Sequence, residues 1–367
     1  MSIQQISIQN FRNINTEKIP LCPNFNFITG FNGSGKTSLL ESIYLLSTGR
    51  SFRTHKINNL ICNEEPDLEI TLFGCLTNIN NSTVKSANIG IRKSKSSYVI
   101  RLDGENIKSA SSLAKLSPTL VIDPTSFNLL LGVAKNRRKF IDWGVFHVEH
   151  EFSSLWNQYI YCLKQRNTLL RTAKIADPQI IFWDEKISEL GEIITLSRIN
   201  FTDRFIVILN EILAKFDFSS KLSISYYKGW DKALSLRETL EKYRIKDIEK
   251  KYTQFGPHRS DLLIYLDKKR ADEILSRGQQ KILIIAMHLA KIKYLSMYKD
   301  KKTVLLIDDI TAELDKVNLE RVFDQLLELE TQVFCTLLDA QDFNLLTNQI
   351  EIYKMFHVEH GSIEIIQ

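Results

Sequence analysis

One segment of the sequence matches every fixed position of a phosphate-binding loop, G-x-x-x-x-G-K-[ST]. It consists of Gly30, Phe31, Asn32, Gly33, Ser34, Gly35, Lys36 and Thr37. Glycines let such a loop turn its backbone N–H groups toward phosphate oxygens. Lys36 can reach the β and γ phosphates, and the Thr37 hydroxyl can bind Mg²⁺. The sequence therefore predicts a site for a nucleoside triphosphate with Mg²⁺.

A pair of carboxylates ends an apolar run at positions 305–307, typical of a buried parallel strand. We expect Asp308 to hold Mg²⁺, directly or through water, and Asp309 to polarise the attacking water. Lys36 and Asp308 are 272 positions apart (308 − 36). A compact nucleotide-binding fold needs a much shorter connection, so a further domain is predicted between them.

A second anion cradle is predicted at Ser276, Gly278 and Gln279, which begin a helical pattern. The run 275–280 resembles the Leu-Ser-Gly-Gly-Gln signature of ABC-type ATPases, and 312–315 resembles their D-loop. The resemblance implies that a symmetric dimer encloses two ATP molecules, each between the phosphate loop of one protomer and the signature of the other. Taken alone, Ser276 is better explained as a helix N-cap, but its position 32 residues before Asp308 (308 − 276) favours the signature.

The elements needed to position these residues follow from hydrophobic periodicity. Strands are predicted at 3–11 and 25–29, joined by a turn at 20–23, with a helix at 37–46. Residues 68–102 alternate as β-strands, with a hairpin tip at 78–82 and an Asp103-Gly104 turn.

Long amphipathic patterns replace strand signals between about 124 and 244, and α/β character returns after Gly256. The predicted fold class is α/β: a P-loop ABC-type ATPase head with a β-rich N-terminal subdomain and an inserted, mostly helical second lobe. The predicted domains are 1–120, with the phosphate loop, 121–250, the helical lobe, and 251–367, with the signature and carboxylates.

Composition is that of a globular chain of two or three domains. The 367 residues are 44% hydrophobic and 25% charged, with 48 Lys+Arg against 43 Asp+Glu and a net charge of +5. No stretch of about 18 residues lacks a charge, so no membrane segment is expected. Without a signal pattern, and with five cysteines in no CxxC pair, the chain is expected to be cytoplasmic.

Five further segments resemble the RecF family of bacterial recombination mediators, relatives of the SMC-type ATPases, over nearly the whole chain. They are 10–13, 49–53, 137–144, 163–167 and 255–262. The resemblance implies an ATP-controlled DNA-binding protein that acts at gapped DNA and dimerises with ATP. It also implies a mediator partner such as RecR, and roles in recombinase loading, replication restart and the SOS response.

Departures from the ABC pattern concern hydrolysis rather than binding. Asp309 stands where a longer Glu is usual, Arg277 replaces a signature glycine, and no histidine lies between His288 and His357. The expected activity is at most a weak, DNA-stimulated ATPase. Three alternatives stay open: a non-hydrolysing ATP-gated DNA clamp, an ATPase of a transporter or another SMC-like system, and an ATP-dependent nuclease.

Three basic clusters are candidates for binding DNA phosphates, and no base-reading motif is visible. They are Arg50, Arg53, His55 and Lys56; Lys85, Arg92, Lys93, Lys95 and Arg101; and Lys135, Arg137, Arg138 and Lys139. Each cluster is equally explained as a solvated charged face, and Arg137 and Arg138 are equally explained as partners in internal salt bridges. His258 and Arg259 have two open interpretations as well, a structural role near Asp261 or a place near the nucleotide.

Overall fold

The computed structural model describes residues 2–62, 69–80, 83–107, 109–172, 178–216, 218, 222–299, 302–310, 314–329, 331–337 and 350–366. The chain separates into two compact units, which we call unit 1 (residues 1–127 and 281–367) and unit 2 (residues 128–280). Within the described ranges, no helix is both long and apolar enough to cross a membrane.

Strands dominate the first 120 residues, and helices dominate the middle of the chain. The strands are β1 (Ser2–Phe11), β2 (Ile14–Pro20), β3 (Phe25–Thr29), β4 (Ile70–Asn80), β5 (Thr83–Lys93), β6 (Tyr98–Leu102), β7 (Glu105–Asn106), β8 (Thr119–Ile122), β9 (Leu222–Tyr227), β10 (Asp261–Leu266), β11 (Lys269–Arg270), β12 (Val304–Ile307), β13 (Gln332–Thr336), β14 (Tyr353–Glu359) and β15 (Ser362–Ile365). The α-helices are α1 (Lys36–Thr48), α2 (Ala110–Leu116), α3 (Asn128–Leu131), α4 (Ala134–Val148), α5 (Phe152–Leu169), α6 (Pro178–Ala214), α7 (Leu236–Lys242), α8 (Arg244–Lys250), α9 (Ala271–Ile274), α10 (Arg277–Lys299) and α11 (Lys316–Glu328).

A mostly parallel sheet forms the centre of unit 1, in the order β15-β14-β3-β13-β12-β8. Strands β14, β3, β13, β12 and β8 run parallel, and only β15 is antiparallel to its neighbour. Every residue of β3, β12 and β13 is buried, as expected of strands covered on both faces. Because parallel strands end at one edge, the segments that follow β3, β12 and β13 meet there.

A second sheet of unit 1 is antiparallel, in the order β2-β1-β4-β5-β6-β7. Its inner face packs on α1 so closely that a side chain at Gly74 would meet the Leu46 side chain at 2.3 Å. The predicted β4–β5 hairpin is confirmed, but the tip predicted at 78–82 was wrong for 78–80, which pair with 83–85 in the ladder, while 81–82 lie outside the described residues. Asp103 and Gly104 have positive φ between β6 and β7, as the turn prediction required.

The predicted connection from β1 directly to β3 was wrong, because β2 lies between them. It pairs with β1 from Phe11↔Ile14 to Gln5↔Pro20, and Arg12 in the turn has a φ of 57°. Only Ile14 and Ile19 of β2 are buried, so its sequence carries little of the alternation that marks a strand.

Unit 2 is mostly helical, as predicted, but it also contains the sheet β11-β10-β9. The prediction missed β9 and assigned β10 to the ATPase lobe, whereas β10 pairs with β9 over its whole length, from Asp261↔Tyr227 to Leu266↔Leu222. This pairing ties the signature region to unit 2. The boundaries of unit 2, at 127/128 and 280/281, thus differ from the expected 120/121 and 250/251.

Buried arginines join the helices of unit 2. Arg198 donates to both oxygens of Asp142 at 2.8 and 3.0 Å, and its guanidinium lies 4.8 Å from the centroid of the Trp156 ring. Arg166 contacts Asp184 at 2.5 Å and Asp247 at 2.7 Å. A charge in the interior is tolerated only with such partners.

The basic cluster at 135–139 is also partly internal. Arg137 makes a two-pronged pair with Asp261 at 2.7 and 3.0 Å, and Arg138 donates to the Ser260 carbonyl at 2.7 Å. The ion-pair partner of Asp261 is thus Arg137. The Arg259 guanidinium lies instead 5.4 Å from the centroid of the Tyr252 ring. Arg137 and Arg138 therefore stabilise the unit rather than form a free phosphate-binding patch.

His258 is held inside unit 2 by both ring nitrogens. Its Nε2 lies 3.2 Å from the Thr253 carbonyl oxygen and its Nδ1 lies 2.7 Å from the Tyr159 hydroxyl. A carbonyl can only accept, so Nε2 carries the proton and Nδ1 accepts from Tyr159. Burial, together with the nearby Arg259, lowers the pKa of His258 to about 4.

Stability should therefore fall in acid. In the unfolded chain His258 binds a proton near pH 6.5, whereas in the folded chain it does so only near pH 4. The neutral His258 side chain therefore contributes its full stabilisation above pH 6.5, and this contribution is lost as the pH falls toward 4. The loss is at most about 3 kcal/mol. In urea unfolding at pH 7, 6 and 5, His258→Gln should flatten this dependence, whereas His150→Gln, at an exposed position of unit 2, should keep it. Equal pH dependence in all three proteins would contradict this role.

Candidate functional site

The phosphate-binding loop predicted from the sequence connects the buried strand β3 to the helix α1. Gly30, Gly33 and Gly35 have φ of 143°, 81° and 122°. In this region of positive φ the backbone of any residue with a side chain is strained. A Cβ at Gly30 would lie 2.3 Å from the Val358 carbonyl oxygen on the neighbouring β14. Glycine is therefore required at Gly30 both by its backbone angles and by the close approach of a second strand.

Residues near both ends of the chain hold the loop from outside. The Asn13 side-chain amide donates to the Ser34 carbonyl at 2.8 Å, and the Gly361 N–H donates to the same oxygen at 3.0 Å. Among the described residues, the buried Ser34 hydroxyl has no hydrogen-bond partner. Phe31 and Asn32, at the turn of the loop, are exposed.

Lys36 lies inside the loop rather than in solvent. Its side chain is almost wholly buried, and Nζ donates to the Gly30 carbonyl at 2.6 Å and to the Phe31 carbonyl at 3.2 Å. Gly35, the residue before α1, provides no side-chain cap. The first N–H groups of a helix need external partners, so this end suits an anion.

The carboxylate of Asp308 meets the loop at the edge of the parallel sheet. Thr37 Oγ1 donates to it at 3.0 Å from Oδ2 and 3.2 Å from Oδ1, and the Thr336 hydroxyl lies 3.0 Å from Oδ1. Burial raises the pKa of Asp308, and Asp309 raises it further, whereas the bonds from Thr336 and Thr37 lower it. The structure thus brings together Thr37 and Asp308, the two predicted metal ligands.

Asp309 follows with a φ of 56°, which is unusual for a residue with a side chain. Its backbone N–H donates to Thr336 Oγ1 at 2.8 Å, so Thr336 connects the two acids. Asp309 is partly exposed, unlike the buried Asp308.

Two residues that act on the Asp308 carboxylate were not predicted from the sequence. Thr336 ends β13, and Asp123 follows β8, the strand that pairs with β12 on its other side. Asp123 also raises the pKa of Asp308, so its charge is felt at the site. The only signal in the sequence that could have identified them was their position, since each lies at or just after the end of a strand parallel to β12.

The family-like segments at 10–13 and 49–53 converge on one buried acid of α1. Arg12 donates to both oxygens of Glu41 at 2.9 and 3.0 Å, Ser51 donates to the same carboxylate, and Arg53 lies 3.8 Å away. Glu41 has no exposed surface. These residues fix the segments on either side of the loop to its helix.

The predicted signature lies in unit 2, at the exposed start of α10. The Gln279 N–H donates to Ser276 Oγ at 3.3 Å, and the Ser276 N–H donates to the Gln279 side chain at 3.0 Å, a reciprocal cap. Apart from its two chain neighbours and the backbone of its own helix, no atom of the described residues lies within 4 Å of the position that a Cβ on Gly278 would take. Of the D-loop prediction, 312–313 lie outside the described residues, while Asp315 caps α11 by accepting from the Asn318 N–H at 2.9 Å.

The parallel sheet, the glycine loop and the paired acids define an ABC-type ATPase head of the SMC kind. Residues 2–364 match the family described as the RecF/RecN/SMC N-terminal domain. An SMC head bound to the C-terminal winged-helix domain of ScpA shares the fold, with a TM-score of 0.60 at 19% identity over 100% of this chain and 97% of that one.

Relatives of higher sequence identity identify the family more narrowly. A DNA replication and repair protein RecF from Teredinibacter turnerae is 40% identical over 374 residues, which cover 99% of this chain and 96% of the relative. Its counterpart from Shewanella denitrificans is 37% identical over the full length of both. A structure of the recombination mediator protein RecF with ATP, in the RecFOR pathway, has a TM-score of 0.84 at 26% identity and covers 100% of this chain and 98% of that one. This chain belongs to the RecF family.

Proposed function

We propose that this chain is an ATP-binding, slowly hydrolysing switch that acts on DNA in replication, recombinational gap repair and SOS induction. The observation that carries the proposal is the contact of the Thr37 hydroxyl with the buried Asp308 carboxylate, beside a glycine loop and an uncapped helix start. Relatives of the same length are DNA replication and repair proteins, and the solved relative is bound to ATP.

The loop residues fit a triphosphate. Three features offer room or donors to phosphate oxygens: the start of α1, which has no side-chain cap, the glycines with positive φ, and the Ser34 hydroxyl, which has no partner among the described residues. Lys36 would leave the Gly30 and Phe31 carbonyls for the β and γ phosphates. Thr37 and Asp308 would hold Mg²⁺, which neutralises phosphate charge when bound.

Asp309 would orient the attacking water, and its side chain argues for slow turnover. It is one methylene shorter than Glu, and its backbone is tied to Thr336. The same feature favours one second candidate, an ATP-gated DNA clamp with negligible hydrolysis.

Ser276, Gly278 and Gln279 would bind the nucleotide of a second protomer. All three are exposed, and the space around Gly278 is open. Two ATP molecules would then join a two-fold dimer, and the γ-phosphate would favour that dimer through contacts absent from the monomer.

DNA would be the macromolecular ligand, in single-stranded, duplex or gapped form, and a mediator of the RecR kind the protein partner. The naming of a solved relative within the RecFOR pathway supports this assignment. A cytoplasmic location follows from action on bacterial DNA.

Lys36→Ala should weaken binding of ATP with Mg²⁺ by about 10- to 100-fold, the effect of losing charge-assisted bonds to phosphate. Titration calorimetry with the full chain would measure it. Lys232→Ala, at an exposed position of unit 2, is the control and should bind as wild type. Unchanged affinity in the Lys36 variant would remove the basis for the loop assignment.

Asp309→Asn should keep ATP affinity within about threefold and lower turnover by at least about tenfold, since it loses the acid that orients water. Asp308→Asn should instead raise the Mg²⁺ concentration needed for binding, because it weakens the metal ligand. Phosphate release with saturating DNA and a Mg²⁺ titration separate the two. Wild-type turnover well above about 1 per second would contradict the slow switch.

Ser276→Arg should abolish ATP-dependent dimerisation and leave ATP binding to the monomer nearly intact, because it places bulk and charge in the cradle. Light scattering with ATP, ADP and no nucleotide measures this. Ser235→Arg is the matched control, since Ser235 also caps a helix of unit 2 with a reciprocal bond to Glu238. A Ser276→Arg protein that still dimerises, or a wild type that stays monomeric with ATP, refutes the mechanism.

A further inference from the structure

The outer face of the antiparallel sheet in unit 1 carries a slot of about 350 Å³, and no residue of the phosphate-binding loop lines it. Side chains of β4, β5 and β6 surround it, and Gly90 of β5 lies among them. The surrounding residues include Thr71, Phe73, Asn88, Arg92, Val99 and Arg101.

Strand register places an aromatic ring and a guanidinium on opposite sides of this slot. Phe73 of β4 pairs with Gly90, and Gly90 pairs with Arg101 of β6, so the three form one row across the sheet. Their sequence neighbours Leu72 and Ile91 point to the core. Phe73, by contrast, is 42% exposed and lies on the outer face of the sheet.

Gly90 keeps the slot open. Among the described residues, a Cβ placed there would meet only the Arg101 Cβ, at 3.9 Å, an ordinary contact, and its φ lies outside the left-handed region. Neither backbone angle nor crowding therefore requires glycine. What a larger residue would change is the space between Phe73 and Arg101.

The width of the slot suits a flat ring. Neighbouring strands lie about 4.8 Å apart, so Phe73 and Arg101, two strands apart, are separated by about 9.6 Å at the backbone. A planar group stacked on both sides needs roughly 7 Å between the flanking planes. The Arg101 Nε donates to Asn106 of β7, the neighbour of β6 on the side away from Gly90, at 3.1 Å, and the guanidinium would turn toward the slot to stack on a ring.

Charge around the slot favours an anionic strand that carries such rings. Arg92 is 63% exposed beside the slot, with a weak contact of 3.3 Å to Glu69. On the far side, Lys18 of β2 continues the same row through Ser7 of β1. Asp103 is engaged by the Asn88 N–H at 2.7 Å.

We propose that this slot takes one unpaired nucleobase of single-stranded DNA, stacked between Phe73 and Arg101, while Arg92 and Lys18 contact the adjoining phosphates. The inference rests on the proposed function for its DNA ligand and names the surface and the form of DNA. Stacking on an aromatic ring tolerates any base, and a base held in a duplex cannot enter the slot.

Two substitutions test the slot in the full-length chain with fluorescently labelled oligo-dT. Phe73→Ala removes the ring and Gly90→Val fills the space, and both sites are open enough to leave the fold intact. Each should weaken binding of oligo-dT about 5- to 100-fold in anisotropy titrations, the usual effect of losing a stacked base. Duplex DNA of the same length should bind within about threefold of wild type. Tyr161→Ala, an exposed aromatic of unit 2, is the control and should change neither affinity.

A direct readout of stacking separates contact from indirect effects. Phe73→Trp should retain binding of oligo-dT, and its added emission, compared with wild type, should be quenched at saturation. Wild-type affinity for oligo-dT in both slot variants, or unquenched emission of Trp, would overturn the proposal and leave the proposed function standing. Binding of duplex but not of oligo-dT by the wild type would do the same. Failure to bind any DNA would overturn both.

Discussion

The constraint on which unit 1 depends is the contact between Thr37 and Asp308, two residues 271 positions apart. It exists because β3 and β12 end at the same edge of a parallel sheet, with β13 between them. Parallel strands cannot be joined by a short turn. The long connection leaves room for a whole second unit, and the site needs residues from both ends of the chain.

The electrostatics of that edge favour a cation. Burial raises the pKa of Asp308, and the neighbouring charges of Asp309 and Asp123 raise it further. Hydroxyls of Thr37 and Thr336 oppose this only in part. A bound divalent ion would lower the pKa of Asp308 again, because it stabilises the ionised carboxylate. The burial that disfavours the charged acid without an ion therefore also makes it a strong metal ligand.

Local chemistry could be predicted from the sequence, and long-range pairing could not. The phosphate-binding loop is recognisable in eight consecutive residues, and the apolar run before Asp308 marks a buried strand. Nothing near Asp123 or Thr336 indicates that both reach the same carboxylate, because their position depends on strand order. The strands β2 and β9 were missed for a related reason: each is recognisable mainly through the partner it pairs with.

Similarity of motifs also cannot distinguish an arginine that stabilises the fold from one that can bind a ligand. The burial of the arginine can make this distinction. Arg12 and Arg137 lie in family-like segments, and Arg198 binds Asp142 of such a segment, yet each arginine forms a two-pronged pair with a carboxylate, which removes it from competition for phosphate. Removing one partner of such a pair leaves an uncompensated charge inside, so these positions are constrained by folding alone. Arg92 and Arg101 differ because they lie on an exposed face beside an open slot. Exposed charges, rather than charges paired inside the unit, are therefore the ones that a nucleic acid can contact.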